Sequence, residues 1–252
     1  MTPAAGSRSA RARPLMFYRL AAYYDDLVAG KDYGSESRVL QRLARRFVRS
    51  QGRSWLDVAC GTGRHLDFLR RRFRVTGLDA SRAMLRVARR RLPRTRLILG
   101  DMRNFRLNET FDIVSCLFSA IGHLPTERDV AATFENFARH LKPGGVAMVE
   151  PWIDPADFRP GYVHLLTHTG RSATVVRLAF SSRRGRRSRV HYHYLIGETG
   201  RGVAHFEEVD VGLLVPRDRL VKLLEDAGLT ARWLSPGLSS GRGLLIGYKD
   251  PA

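Results

Sequence analysis

Residues 55–63 read "WLDVACGTG", an apolar stretch "WLDVA" opening into the turn "CGTG". Gly61 and Gly63 carry no side chain, so the backbone there can turn sharply and come within van der Waals reach of a ligand, and a following helix offers its free N–H groups. A glycine pair alone also fits an ordinary tight strand-to-helix turn, so the segments around it decide the reading. Downstream the chain alternates: helix "RHLDFLRRRF" (64–73), strand "VTGLD" (75–79), helix "RAMLRVARRRL" (82–92), strand "TRLILG" (95–100), strand "FDIVSCLF" (111–118), helix "ERDVAATFENFARHL" (127–141) and strand "GGVAMVEP" (144–151). Short apolar strands alternating with helices predict an α/β fold, a doubly wound Rossmann-like and mostly parallel sheet covered on both faces. Upstream, residues 36–50 place Val39, Leu40, Leu43, Phe47 and Val48 at helical spacing against an arginine face, which predicts an amphipathic helix ended by Gly52.

After 151 the rhythm changes. "SATVVRLAF", "SRVHYHYLI" and "AHFEEVDVGLLV" predict an inserted antiparallel β meander over the active site, with the basic run "SSRRGRRSR" (181–189) as a solvated hairpin tip turning at Gly185. The chain then returns to the core through helix "PRDRLVKLLEDAG" and two further strands around the glycine loop "SSGRGLL". The expected organisation is a disordered tail over 1–15, a cofactor-binding core with its N-terminal lid over 16–150, a substrate cover over 151–215, and a closing helix and strands over 216–252.

The site builds outward from the turn. Ligands of open parallel sheets lie beyond the carboxyl ends of the strands, near the switch in strand order. Asp79 ends the next strand, where an acidic side chain accepts both hydroxyls of a ribose, and "GDMRNF" sets Asp101 and Met102 at the third strand end, suited to an adenine. Three successive strand ends thus present contacts for one adenosine. The turn lacks the third glycine of the dinucleotide fingerprint, so the ligand need not be a dinucleotide.

The series "LDVACGTG", "GLDAS", "GDMRNF", "FDIVSCLFSAIGHL" and "LKPGGVAMVEPW" resembles the motifs of class I S-adenosylmethionine-dependent methyltransferases. That resemblance implies S-adenosylmethionine as cofactor. Asp57 and the Ala59, Cys60, Gly61 to Gly63 backbone would hold the methionine part, Asp79 the ribose, Asp101 with Met102 the adenine, and Ala80, Met84 and Phe118 would line the rest. More narrowly, "YDDLVAGKDY", "SAIGHL", "VEPW", "GVAHFEEVDV" and "SGRGLLIGY" resemble the enzymes that dimethylate the amino group of nucleotide-activated deoxyaminosugars in antibiotic pathways. This implies a small-molecule amine acceptor, a sugar nucleotide, and a homodimer.

Methyl transfer to an amine needs a free lone pair and in-line alignment. His123, in the loop after "FDIVSCLF", is the candidate group to deprotonate or orient the amine, against a plain loop-capping role. Tyr24 and Tyr33 read either as a lid over the cofactor or as core aromatics. For the acceptor, Trp152 is a candidate wall and Ser119 a contact; Glu150 is either a contact or satisfied by backbone N–H groups; and Arg242 is a candidate clamp for a diphosphate.

A formal charge of +19 makes nucleic acid an obvious partner. Yet 39 of the 43 basic residues are arginines spread through nearly every segment, which reads as compositional bias, and "SCLFSAIGHL" stands where nucleic-acid or protein methyltransferases of this fold carry an Asn/Asp-Pro-Pro-Tyr box. A non-catalytic nucleic-acid-binding protein on a retained cofactor fold is the competitor from another class. His191 and His193 share a strand face, but no third ligand is apparent in sequence, so no metal is expected. Two cysteines, no apolar run of membrane-spanning length and no secretory apolar segment predict a soluble, cytoplasmic protein.

Overall fold

A computed structural model describes residues 20–170 and 173–251; the tail expected over 1–15 lies outside them. The apolar runs form strands β1 (Ser54–Val58), β2 (Arg74–Asp79), β3 (Arg96–Leu99), β4 (Phe111–Cys116) and β5 (Leu141–Val149), and the chain's end adds β10 (Thr230–Leu234) and β11 (Leu244–Tyr248). They assemble into one seven-stranded sheet in the order β10-β11-β5-β4-β1-β2-β3. Pairings among β1–β5 are parallel, and β11 runs antiparallel to both β5 and β10. Strand order reverses between β1 and β4, so the crevice above their carboxyl ends is the switch point. The expected mostly parallel Rossmann-like sheet is present.

Alternation along β1 sorts its side chains to two cores. Leu56 and Val58 join a cluster with Val130, Phe134 and Phe137 of α5 (Glu127–His140) and Leu220, Leu223 and Leu224 of α6 (Arg217–Asp226). Trp55 faces the other way, with Leu40 and Ala44 of α2 (Tyr33–Phe47) and Leu69 of α3 (Arg64–Leu69). Fully buried Leu40 contributes roughly 1.5–3 kcal/mol, so packing seats this helix.

Helix boundaries differ from the expected ones. α2 starts three residues earlier than 36 because the Asp32 carboxylate accepts the Ser35 N–H at 2.8 Å, and it stops at Phe47 because Val48 is extended. Gly52 has another duty: a Cβ there would lie 2.2 Å from Asp112 Oδ2, and its N–H donates to Asp112 Oδ1 at 3.0 Å. α3 ends at Leu69 rather than 73, and α4 spans Arg82–Arg91, capped by Ser81.

The meander is a second sheet, antiparallel, in the order β6-β7-β8-β9, formed by β6 (Val163–Thr169), β7 (Thr174–Arg184), β8 (Arg187–Glu198) and β9 (Gly202–Leu213). Three of its strands are those expected; β6 is additional, an exposed edge strand whose identity comes from pairing with β7 rather than from apolar periodicity. Gly185, at φ 57, turns the β7–β8 hairpin as expected. A short helix α1 (Tyr24–Leu27) packs under this sheet, where Leu27 joins Val175, Tyr194 and Ile196. No helix among the described residues is long and apolar enough to cross a membrane.

Candidate active site

The turn after β1 is built from left-handed backbone at Ala59 (φ 58), Gly61 (φ 55) and Gly63 (φ 76). The two glycines are required for different reasons. A Cβ on Gly63 would meet Leu92 Cδ1 at 2.8 Å, so packing excludes it, whereas at Gly61 nothing lies within 4 Å and the backbone is bare toward the cavity. Asp79 secures the turn from β2: its carboxylate accepts the N–H of Gly61 and of Ser81, both at 2.8 Å. Burial raises the Asp79 pKa, opposed by those two N–H donors.

Asp57 is held by a chain of hydrogen bonds within the sheet. Trp55 Nε1 donates to Ser115 Oγ (2.7 Å), and the Ser115 hydroxyl donates to Asp57 Oδ1 (2.6 Å). Burial pushes the Asp57 carboxyl up to about 6, against the pull of His65 and the Ser115 hydroxyl.

Above this floor lies a cavity of about 300 Å³. Of the residues singled out in the sequence, Tyr24, Tyr33, Asp57, Ala59, Cys60, Gly61, Asp79, Met84, Phe118, His123, Trp152 and Arg242 line it. Tyr24 and Tyr33 line the cavity, and Tyr33 is also buried, so lining fits both the lid and the core reading of the tyrosines. α1 is fastened to the turn through Asp25, which accepts from Thr62 Oγ1 at 2.7 Å and pairs with Arg91. α2 is fastened through fully buried Glu36, which pairs with His65 Nε2 (2.8 Å) and Lys31 Nζ (2.6 Å) and accepts from Ser239 Oγ.

Six singled-out residues do not line the cavity. Gly63 and Ala80 serve the turns themselves. Asp101 is engaged by Arg103, Nε to Oδ1 at 3.0 Å and Nη2 to Oδ2 at 2.6 Å, and this pairing lowers its pKa; Met102 packs on the main core. Glu150, fully buried, takes the backbone reading: it accepts the Phe118 N–H and the Ser240 hydroxyl, each at 2.6 Å. Ser119 donates to the Pro151 carbonyl at 2.7 Å. Both act on the turn after β4, where Phe118 (φ 52) and Ser119 (φ 60) adopt left-handed backbone that side chains other than glycine resist. Glu150 and Ser119 thereby aim the next residues, the single 3₁₀ turn Ala120–His123, at the cavity.

His123 Nδ1 faces Asp210 Oδ1 of β9 at 3.1 Å. Its side chain is 34% exposed, and what it is exposed to is the cavity it lines. Burial lowers the imidazole pKa, but the Asp210 carboxylate outweighs it and leaves the value above that of a free histidine. Arg242 Nη1 donates to Ser119 Oγ at 2.7 Å while its guanidinium lies 4.7 Å from the Trp152 ring; burial lowers its pKa. Trp152 is itself pinned by its Nε1–H to Ser188 Oγ (2.8 Å).

Sequence reading missed Arg177, Tyr192 and Asp210, all from the antiparallel sheet. Alternation in "EEVDV" sets Glu208 and Asp210 on one face, but only the register, Tyr192 opposite Glu208 and Val190 opposite Asp210, shows that this face turns to the cavity. Arg177 reaches Leu27 O with Nη1 (3.2 Å), sits 5.5 Å from the Tyr192 ring, and its buried Nε has no hydrogen-bond partner among the described residues. Trp152, Arg177, Tyr192 and Arg242 also line a second cavity of about 510 Å³, which continues past Phe158, Arg159 and Tyr162.

The residues present fit S-adenosylmethionine: the bare Gly61 backbone admits close approach, Asp79 offers a carboxylate at ribose depth, and Tyr24, Tyr33 and Phe118 present aromatic surface to a sulfonium cation. A family model described as a methyltransferase domain matches residues 56–145. A dTDP-3-amino-3,6-dideoxy-alpha-D-glucopyranose N,N-dimethyltransferase from Streptomyces fradiae is 44% identical over 219 residues, 86% of this chain and 85% of that protein. Among solved structures, Streptomyces venezuelae DesVI superposes with a TM-score of 0.87 at 39% identity, covering 92% of this chain and 98% of that one. CalS10 in its S-adenosylmethionine-bound form, an amino pentose methyltransferase from Micromonospora echinaspora, gives 0.80 at 36% identity over 91% and 95%. Fold, cofactor cradle and near full-length similarity agree, and the chain belongs to the S-adenosylmethionine-dependent N-methyltransferases.

Proposed function

We propose that this enzyme methylates the amino group of a nucleotide-diphosphate-linked deoxyaminosugar, in the cytoplasm and within antibiotic assembly. One observation carries the acceptor assignment: two arginines, Arg177 and Arg242, stand where the cofactor cavity meets the second cavity. A sugar seated at that junction, between Trp152 and Tyr192, puts its amine beside His123 and its diphosphate within reach of two guanidiniums, leaving the second cavity for the nucleoside. The relatives named above, which act on dTDP-linked amino sugars or amino pentoses, support the same reading.

S-adenosylmethionine, when bound, would supply an electrophilic methyl group for transfer to the amine nitrogen, with S-adenosylhomocysteine as the leaving group. This chain must deliver a neutral amine. Asp210 Oδ1 faces His123 Nδ1 at 3.1 Å, so Nε2 is the nitrogen left to take the proton that the ammonium loses. Because the Asp210 carboxylate raises the His123 pKa, the imidazole is a stronger base but is neutral only at higher pH, so turnover rises with pH through that pKa. Asp57 and the Ala59–Gly61 backbone would hold the methionine part and Asp79 the ribose.

We further propose a homodimer joined by the outer face of the antiparallel sheet. That face exposes Val163, Leu165, Leu178, Phe180, Leu195 and Val203, each between 42% and 72%. From Val163 to Thr169, Thr174 to Phe180, His191 to Gly197 and Val203 to Val209, the alternate positions on this face hold no Lys or Arg, and Arg189, opposite Ser182 and Val211, marks the edge of that patch. In a chain of charge +19, such a face lets two like-charged copies meet without facing cations.

The test is methyl transfer from S-adenosylmethionine to dTDP-3-amino-3,6-dideoxyglucose, with a short RNA as the competing acceptor. Saturable transfer to the sugar alone supports the assignment; transfer to RNA alone would mean that the arginines are the recognition surface. Light scattering on the same samples reads the dimer, and Leu165→Arg should split it.

A further inference from the structure

The antiparallel sheet carries a second constellation that the methyl-transfer site does not use. His191 and His193 on β8 point away from Tyr192, hence away from the cavity. Register on β9 supplies what the sequence by itself could not: Glu207 lies directly opposite His193 and diagonal to His191, and His205 lies opposite Leu195, diagonal to His193. Opposed positions on adjacent strands hold their Cβ atoms about 4.5–5.5 Å apart and diagonal ones about 7–8 Å, so four long polar side chains converge above the two strands.

Their donor atoms already stand at coordinating separations. Glu207 Oε2 is 3.6 Å from His191 Nε2, Glu207 Oε1 is 3.6 Å from His193 Nδ1 and 3.9 Å from His205 Nε2, and His193 Nδ1 is 3.2 Å from His205 Nε2. The ligand atoms of His191, His193 and Glu207 all lie within 4.8 Å of one another. A tetrahedral ion bound at about 2.0–2.1 Å needs neighbouring ligand atoms about 3.3–3.4 Å apart, so small side-chain rotations close the site.

We infer that His191, His193 and Glu207 form a binding site for a borderline divalent transition metal of the zinc class, with His205, beside His193 and Glu207, within reach as a fourth ligand. Imidazole donors with one carboxylate suit Zn²⁺, Ni²⁺ or Cu²⁺ rather than Mg²⁺ or Ca²⁺, which take oxygen ligands. Exposed Phe180, Leu178 and Val209 neighbour the histidines in the same cross-strand rows, so the ligands sit within the apolar face proposed above to join the homodimer, with Arg189 at its edge. This inference runs against the sequence expectation of no metal, and the site would tie β8 to β9. The site is independent of which acceptor the enzyme methylates.

The experiment is a calorimetric titration of the EDTA-treated, dialysed full-length chain with ZnCl₂ at pH 7.5. The expected result is saturation at one equivalent per chain with micromolar or tighter affinity. His191→Ala and His193→Ala should each weaken it by about tenfold or more, and Glu207→Gln should do so as well. His168→Ala, a histidine on β6 outside the constellation, should leave it unchanged. Zinc should also raise Tm for the parent and not for His193→Ala, while the affinity for S-adenosylhomocysteine stays the same in both. Absence of saturable zinc binding, or saturable binding that survives both histidine substitutions in variants with the parent's apo Tm, overturns the inference.

Discussion

The two sheets bring different kinds of group to one cavity. The seven-stranded, mostly parallel sheet contributes backbone turns and, at Asp57 and Asp79, two buried carboxylates that form the floor of the cavity. The four-stranded antiparallel sheet contributes long side chains from separate strands: Arg177 from β7, Tyr192 from β8 and Asp210 from β9. A backbone turn is set within a few residues, whereas convergence of side chains depends on register across a whole sheet. Cofactor grip and acceptor chemistry are therefore separable, and substitutions in one should leave the other's affinity intact.

The sharpest cut falls at their meeting point. His123→Ala should lower kcat by roughly 100- to 10,000-fold if the ring takes the amine proton, with S-adenosylhomocysteine affinity unchanged by calorimetry. A loss below about tenfold would sink the base role. On the parallel side, Asp79→Ala removes the carboxylate that holds the Gly61 turn and that we propose accepts the ribose hydroxyls, and it should weaken S-adenosylhomocysteine by about 100-fold, with acceptor KM little changed.

Glu36→Gln tests the tie between lid and core. Burial alone would raise the Glu36 pKa, but His65, Lys31 and Ser239 hold it down, from 4.5 to about 2. A carboxylate lowered on folding stabilises the protein above its unfolded pKa and loses that effect as pH falls through the folded one. The variant should be less stable by about 2–4 kcal/mol at pH 7 in urea unfolding, and the gap should close between about pH 4.5 and 2.

Arg242→Lys keeps charge but not the planar fork, so acceptor KM should rise by about tenfold while cofactor affinity holds. The smallest effect belongs to Asp210→Asn. Without that carboxylate the His123 pKa drops, and the ascending limb of the pH–rate profile should move to lower pH. An unmoved limb would detach β9 from the chemistry and break the comparison.

Much of the parallel half was legible in sequence. Apolar strands buried on both faces, the glycine turn and Asp79 at a strand end are local signals, and each of these residues lines or shapes the cavity. Asp101 was legible as a strand-end acid, yet the neighbouring Arg103 claims it. That pairing is a side-chain choice that spacing does not report. Glu150 likewise reads as a strand-end acid, and it is the strained backbone at Phe118, more than thirty residues earlier in the chain, that occupies it.

The sequence by itself determined the α/β rhythm, the bare turn at Gly61 and the chemistry of the ends of β1 and β2, because hydrophobic period and backbone sterics act over a few residues. Only the tertiary structure decided that Asp210 faces His123, that Arg177 joins Arg242 between the two cavities, and that Glu207 stands beside His191 and His193. Those groups come from strands whose neighbours are set by register. A slip of one residue turns every side chain of a strand to the opposite face, and that choice is made by packing across the sheet rather than by any stretch of chain alone.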